Sequence, residues 1–393
     1  MDIQRADLCF ALYRCLVPGP VEKINPPIPA SSYKDRHLLA ALSVRSGLDL
    51  FMQAVKIPKG SEVMVSAITH PEMISILRHH GLKPIPIDID PSTLAPRLKS
   101  IIHAVGPHTK ALMVAHLFGA HFSLGDIVTF CRREDLYLIE DCAQAYDSQY
   151  YGHPGADISL FSFGPLKTVS ALGGALLWVR DSRIFSKMGR LHGKYPVQSN
   201  SDYAKRIVKY GCLDLLSSSR ILYGIVCRLL GVTGRSVEEV LRSWISSFPG
   251  GFEPKKLRKR PSDPLLNLLA RRLRRQNLKW LQERIAVGRW VSRELSSIGR
   301  PGEGATKETY WIFPVLVKNR DALISALRMS GFQAIKGLSN LCVLEAPPGR
   351  PELYPVQAKQ ILSGSILLPV YPDLTVKERK RLVQTVLEKT EEG

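Results

Sequence analysis

Residues 136–167 read LYLIEDCAQAYDSQYYGHPGADISLFSFGPLK. Leu136 to Ile139 is a short apolar run that ends in two acids, Glu140 and Asp141. Ser159 to Phe163 is a second such run, followed by a loop with Gly164, Pro165 and then Lys167. Short apolar runs bounded by turn residues predict strands buried on both faces. Strands of that kind form parallel sheets covered by helices, in which ligands sit at the carboxyl ends. Asp141 and Lys167 both follow predicted strand ends, so the stretch predicts a sheet and a site on it together.

The pattern extends in both directions. Glu62–Ala67, Pro84–Ile89, Ala111–Ala115 and Ala175–Val179 are further predicted strands. Pro71–His80 predicts a helix, with proline at its start and Gly81 just past its end. The alternation gives an α/β fold with a mostly parallel sheet over a large domain at 36–250. Residues 1–35 are expected to be irregular, since Pro18, Pro20, Pro26, Pro27 and Pro29 fall there. Residues 251–393 predict a smaller α+β domain. Leu265–Leu295 gives one or two long helices, Tyr310–Val317 a strand, Leu323–Ser330 a helix and Ile366–Pro369 a strand, with a terminal helix from about Val376.

The composition narrows the class. The chain has 393 residues, 45% hydrophobic and 23% charged, which is ordinary for a folded protein with a large core. Its seven cysteines form no CxxC pair and are odd in number. That argues against a disulfide framework and against zinc, and points to a reducing, cytoplasmic setting with no metal. Asp2, Arg5, Asp7 and Arg14 break up the N-terminus as a signal peptide, and no run of 18 apolar residues predicts a membrane span. The net charge of +19 favours anionic partners. A nucleic-acid site would need a recognisable module or aromatic platforms, and neither is present. The basic residues Lys255, Lys256, Arg258, Lys259 and Arg260 read as a solvated loop or a phosphate grip. Arg271, Arg274 and Arg275 share a helix face. The apolar positions between Leu213 and Leu230, with Arg220 and Arg228, fit core, dimer interface or a membrane surface, so peripheral membrane contact through 211–260 is one expectation.

Lys167 is a candidate amine nucleophile: such a lysine must be approachable and partly desolvated. Read alone, a lysine is far more often a solvated charge. Asp141 changes the balance, because a carboxylate ending a buried strand needs a cationic partner. The protonated ring nitrogen of pyridoxal 5′-phosphate (PLP) is such a partner, and the pairing keeps the ring an electron sink. A helix N-cap is the alternative reading of Asp141. Gln144 lies three residues further on, close enough to pack near the same ring. Ser46 and Gly47 suggest a turn opening a helix, where free backbone N–H groups bind phosphate.

Together these segments resemble the DegT/StrS family of PLP-dependent sugar aminotransferases, in order over roughly 38–180 and more faintly over 277–385. The motifs that carry the resemblance are EDCAQA at 140–145 and YGHPGADISLFSFGPLK at 151–167. Thr69-His70, HLFG at 116–119 and LPVYPDLT at 368–375 add to it. The resemblance implies a PLP-dependent transferase of fold type I, aspartate-aminotransferase-like, and a homodimer with sites at the subunit interface. It implies Lys167 as the lysine that carries PLP as a Schiff base and Asp141 as the ring-nitrogen partner. Gln144 would pack near the ring, Ser162 would bind phosphate with Ser46 and Gly47, and His70 would stack on the ring. The implied reaction moves an amino group, commonly from glutamate, to a keto-sugar or related ketone, possible carriers being nucleotides or lipids. Such enzymes serve polysaccharide or secondary-metabolite biosynthesis. A PLP-dependent lyase or dehydratase, or a non-catalytic regulatory protein on this fold, are the alternatives.

The chain also departs from the family pattern. The Ser-Gly-Thr turn reads Ser46-Gly47-Leu48, Leu172 precedes Gly173-Gly174 in place of an acid, and Arg260–Asp263 stands where an Asn-Tyr-Arg segment is expected.

Overall fold

The computed structural model describes residues 3–17, 19–24, 36–218, 253–336 and 341–391. Its centre is a seven-stranded sheet of β1 (His37–Ala41), β2 (Glu62–Ser66), β4 (Lys83–Ile87), β5 (Thr109–Ala115), β7 (Tyr137–Asp141), β8 (Ile158–Ser162) and β9 (Ala175–Val179). The spatial order is β1-β9-β8-β7-β5-β2-β4. From β8 to β4 every neighbour is parallel, while at one edge β9 pairs antiparallel with both β8 and β1. Six of these strands fall where the apolar runs predict them. The edge strand β1 is the one the pattern misses: its residues HLLAA are only half-buried, so no continuous buried run marks them.

Two short strands, β3 (Ile68–Thr69) and β6 (Ala120–His121), lie beyond the ends of β2 and β5. They pair with Cys342–Val343 and Lys307–Glu308, and so tie the C-terminal half to the mouth of the sheet.

Helices pack on both faces of the sheet. One face carries α2 (Val44–Val55), α3 (Pro71–His79) and α6 (Ser182–Gly193) around Leu48, Phe51, Ile76 and Leu177. The other buries Met64, Leu112, Val114 and Leu138 under α4 (Leu98–Ala104) and α5 (Gly125–Arg133). A third cluster, around Phe161, Trp178, Tyr203 and Leu268, joins the sheet to α7 (Asn200–Ser218) and to the helix Asp263–Arg274. The C-terminal part adds the helices Leu278–Glu294, Arg320–Met329 and Val376–Glu391 around a small antiparallel sheet of Phe313–Leu316, Ser365–Leu368 and Ile335–Lys336.

The irregular N-terminal segment needs correction. Residues Arg5–Leu16 form α1, because the prolines that suggest irregularity all lie beyond it. The helix is held by charge as well as packing: buried Asp7 accepts from Arg271 Nε and Arg272 Nη1, both at 2.8 Å. Arg274 pairs with Glu22. Arg271, Arg272 and Arg274 are thus committed to contacts within the chain, while Arg275 is exposed. In the basic run at 255–260, Lys255 and Lys256 are exposed and Arg258 is held by the fold. Arg258 donates to Asp49 of α2 through Nε at 2.9 Å and Nη2 at 3.0 Å. The His80 and Arg258 hydrogen bonds outweigh the cost of burial and bring the Asp49 carboxyl down to about 2.

The boundary expected near residue 250 and most of the apolar stretch at 211–230 lie outside the described residues. Of that stretch, residues up to Ser218 continue α7, with Leu213 buried and Leu215 exposed. No helix among the described residues is long and apolar enough to cross a membrane.

Candidate active site

A cavity of about 460 Å³ opens at the carboxyl ends of the parallel strands. Each strand delivers chemistry to it as the chain leaves the sheet. His70 follows β3, His116 and Leu117 follow β5, Asp141 ends β7 with Ala143 and Gln144 just after, and Ser162 ends β8 with Lys167 in the next loop. The far wall comes from the C-terminal half: Trp311, Ile312, Ile335, Leu341 and Leu367.

Lys167 and Asp141 are opposed in their proton affinities. Burial brings the Lys167 ammonium down from 10.5 to about 8, against the pull of Asp141 and with a push from Arg45. Burial raises the Asp141 carboxyl above the ordinary aspartate value, although the Ala143 amide, Lys167 and His116 pull it back. The Asp141 Oδ1 accepts the Ala143 N–H at 2.9 Å, as an N-cap would, yet the residue still lines the cavity. No helix directly follows Asp141, so the hydrogen bond closes a local turn and is not a helix cap.

His70 caps α3: its Nδ1 accepts the Glu72 amide at 3.2 Å. Burial first, then Arg45 and Lys167, lower its imidazolium to about 4, so the ring is neutral near pH 7. A neutral ring stacks on a cationic heterocycle without charge repulsion. Gln144 uses Oε1 to accept the Phe118 amide at 3.0 Å.

Ser46 and Gly47 do not open α2. The N-cap is Ser43, whose hydroxyl accepts the Ser46 amide at 3.1 Å, and the helix begins at Val44. Ser43, Val44 and Arg45 line the cavity, while Ser46 and Gly47 lie behind them, buried in the first turn. Gly47 answers to packing: a Cβ there would stand 2.5 Å from Leu177 Cδ2 on β9, so glycine lets the helix sit close to the sheet. The Ser-Gly pair drew attention as a turn, and the serine three residues earlier does the capping.

Sequence reasoning also misses Arg45, Arg206 and Trp311, all of which line the cavity. Arg45 Nη1 is paired with Glu72 at 2.6 Å. Arg206 reaches in from α7, donating to the Leu172 carbonyl at 3.2 Å. No local motif marks these three, because the fold brings them together from separate segments.

Behind Asp141, Glu140 is fully buried and saturated with donors: His116 Nε2 at 3.0 Å, Ser159 Oγ at 2.6 Å, the His153 amide at 2.8 Å and the Tyr150 hydroxyl. His116, from the HLFG segment, is this acid's partner. His116, Glu140 and Cys142 could be grouped as metal ligands. The Cys142 thiol is pushed well above its ordinary value by burial and by the neighbouring acids, which keeps it protonated and a poor ligand.

The donor set suits PLP. A half-buried acid on the cavity wall, with Lys167 nearby, suits the further cation that a pyridinium would supply. A lysine with a lowered proton affinity faces the same space, a neutral ring lies beside it, and a helix N-terminus with Ser43 and Arg45 offers an anion site.

Comparison with known proteins agrees. Residues 30–212 match the DegT/DnrJ/EryC1/StrS aminotransferase family. The chain is 30% identical over 167 residues to GDP-perosamine synthase of Escherichia coli O157:H7. That match takes in 41% of this chain and 46% of the relative, so it spans less than half the relative's length. Among solved structures, the aminotransferase of Psychrobacter cryohalolentis superposes with a TM-score of 0.69 at 20% identity, over 99% of this chain and 98% of that one. NtdA of Bacillus subtilis, solved with bound cofactor PMP, gives 0.67 at 18%, over 98% and 82%. The fold is therefore that of these solved structures along nearly its whole length, and residues 30–212 are similar to the DegT/DnrJ/EryC1/StrS aminotransferase family.

Proposed function

We propose that the protein is a PLP-dependent aminotransferase that moves an amino group from glutamate to a keto-sugar or related ketone. The observation that carries this reading is the pairing, across one cavity, of Lys167 with its lowered proton affinity and Asp141 with its raised one. The NtdA structure's PMP and the sugar acted on by GDP-perosamine synthase supply the cofactor and the substrate class.

When bound, the cofactor supplies an electron sink for the bond broken at the substrate Cα. The residues do the rest. Asp141 would hold the ring N–H and keep that nitrogen charged, and His70 would pack on the ring face. Gln144, anchored through Oε1, would pack near the ring. Ser43, Arg45 and Ser162 would hold the phosphate, with Arg206 at the rim. Lys167 would serve as the general base and acid, its Nζ taking and returning the substrate Cα proton. An amine near pH 8 suits that role, since both of its forms are populated at neutral pH.

The homodimer implied by the family resemblance belongs to this proposal, with a second copy closing the cavity mouth; light scattering of the purified chain tests it. The proposed activity is tested by adding glutamate to PLP-loaded protein. Conversion of the visible absorbance to that of the amine form, with release of 2-oxoglutarate, supports it. A lyase or dehydratase that keeps the aldehyde form of its cofactor would not make that exchange with glutamate.

A further inference from the structure

Trp311 stands over the end of Lys167, with Nζ 4.0 Å from the ring centroid. Nothing in local sequence joins these residues, so the structure has to build the contact, and it does so in three independent ways. The indole Nε1 donates to the Leu166 carbonyl at 2.9 Å, which fastens the ring to the residue before the lysine. On the other side, Arg284 donates through Nε to the Thr309 carbonyl at 2.8 Å and reaches Thr168 Oγ1 at 3.4 Å with both terminal nitrogens. One buried guanidinium thus links the residue after Lys167 to the strand end that leads into Trp311.

The third is the HLFG turn. The Thr309 amide donates to Gly119 O at 2.9 Å and the Ile312 amide to Phe118 O at 3.2 Å. A Cβ on Gly119, where φ is +95°, would lie 2.8 Å from the Trp311 backbone nitrogen. Glycine is what lets the segment cross so closely. Tyr310, just before the tryptophan, takes a left-handed φ of 49°, a conformation a bulky residue seldom adopts without compensation.

We propose that Trp311 is a positioning residue for Lys167: its indole face holds the amine whenever the lysine is free, and so fixes where Nζ returns to meet a proton. A lysine released from the cofactor would otherwise have four rotatable bonds to wander through. The groups that face Nζ are Asp141, Arg45, His70 and the indole. Of these, Asp141 and the indole both favour the charged form, and only the indole can be tuned without altering a charge.

The contact itself is independent of the proposed reaction, so the test is made on the full-length chain before cofactor is added. Lys167 reactivity toward an acylating reagent is followed against pH by mass spectrometry, with the other lysines as internal references. Tryptophan is replaced biosynthetically by mono-, di- and trifluorotryptophan, which drain the ring's negative face at nearly constant size. The Lys167 midpoint should fall stepwise with fluorine content, by roughly 0.4 to 1.5 pH units in total. The trend should vanish in Trp311→Phe, where the other four tryptophans still carry fluorine. A midpoint that ignores fluorination, or a trend that survives in Trp311→Phe, overturns the proposal. In loaded enzyme the same series should lower kcat and leave KM in place. If the labelling trend is present but glutamate gives no exchange, the positioning contact stands and the aminotransferase reading fails.

Discussion

Arg272 joins the N-terminal helix to the lysine loop: its Nη1 donates to Asp7 Oδ2 at 2.8 Å and its Nε to the Ser170 carbonyl at 3.1 Å. Ser170 lies between Val169 and Leu172, which both hold a left-handed φ of 57°. A loop with two such residues keeps its shape only if its surroundings insist on it. Removing one partner of a buried pair strands the other charge, so Asp7→Asn should cost about 3–5 kcal/mol. Urea unfolding monitored by circular dichroism checks this. A loss below about 0.5 kcal/mol would show that α1 is an ornament.

Glu140 gives a pH prediction. Burial works to raise its carboxyl, but the hydrogen bonds and charge of His116, with Ser159 and Tyr150, bring it down from 4.5 to about 2. Its folded value lies below its unfolded one. The stability it contributes is therefore complete above pH about 4.5 and is lost as pH falls toward 2. The size is about 3 kcal/mol. Thermal melts of wild type and Glu140→Gln should differ most at neutral pH and converge toward pH 2. Parallel curves across that range would contradict the assignment.

His70 is neutral above about pH 4 because burial, Arg45 and Lys167 oppose its charge. His70→Tyr should thus retain PLP binding, since only a ring is required. His70→Ala should weaken it about 3- to 10-fold, the usual worth of one ring contact. Equilibrium dialysis measures both, and equal affinities for all three proteins would remove His70 from the ring face.

Gly119→Ala should be poorly tolerated, because φ is +95° and the new Cβ would press on the Trp311 backbone. A cost of roughly 1–3 kcal/mol is expected. The intrinsic tryptophan emission should shift as Trp311 is displaced, and an unchanged spectrum with unchanged stability would deny the close crossing.

The sheet was legible because its strands are buried on both faces, which forces unbroken apolar runs such as Ala111–Ala115. Asp141 and Lys167 were legible because one ends a buried strand and the other lies in the loop after one, while Ser162 and His70 came with the family motifs. The N-terminus of α2 was misread by three residues. Ser46-Gly47 looks like a turn, but only the packing against Leu177 shows why the glycine is there. Trp311 and Arg206 carried no local signal at all. They reach the cavity through contacts distant in the chain, Arg206 with Leu172 and Trp311 with Leu166, and in Trp311 a left-handed Tyr310 and a distant glycine set the path.

The central claim is that Lys167 and Asp141 hold and use one PLP. The most direct measurement is the absorbance of the PLP-reconstituted chain before and after glutamate, beside Lys167→Ala. A visible band that borohydride abolishes, that glutamate converts to the amine form, and that Lys167→Ala never develops is the predicted result. A wild-type chain that takes up no PLP, or a band that persists unchanged in Lys167→Ala, would contradict the account.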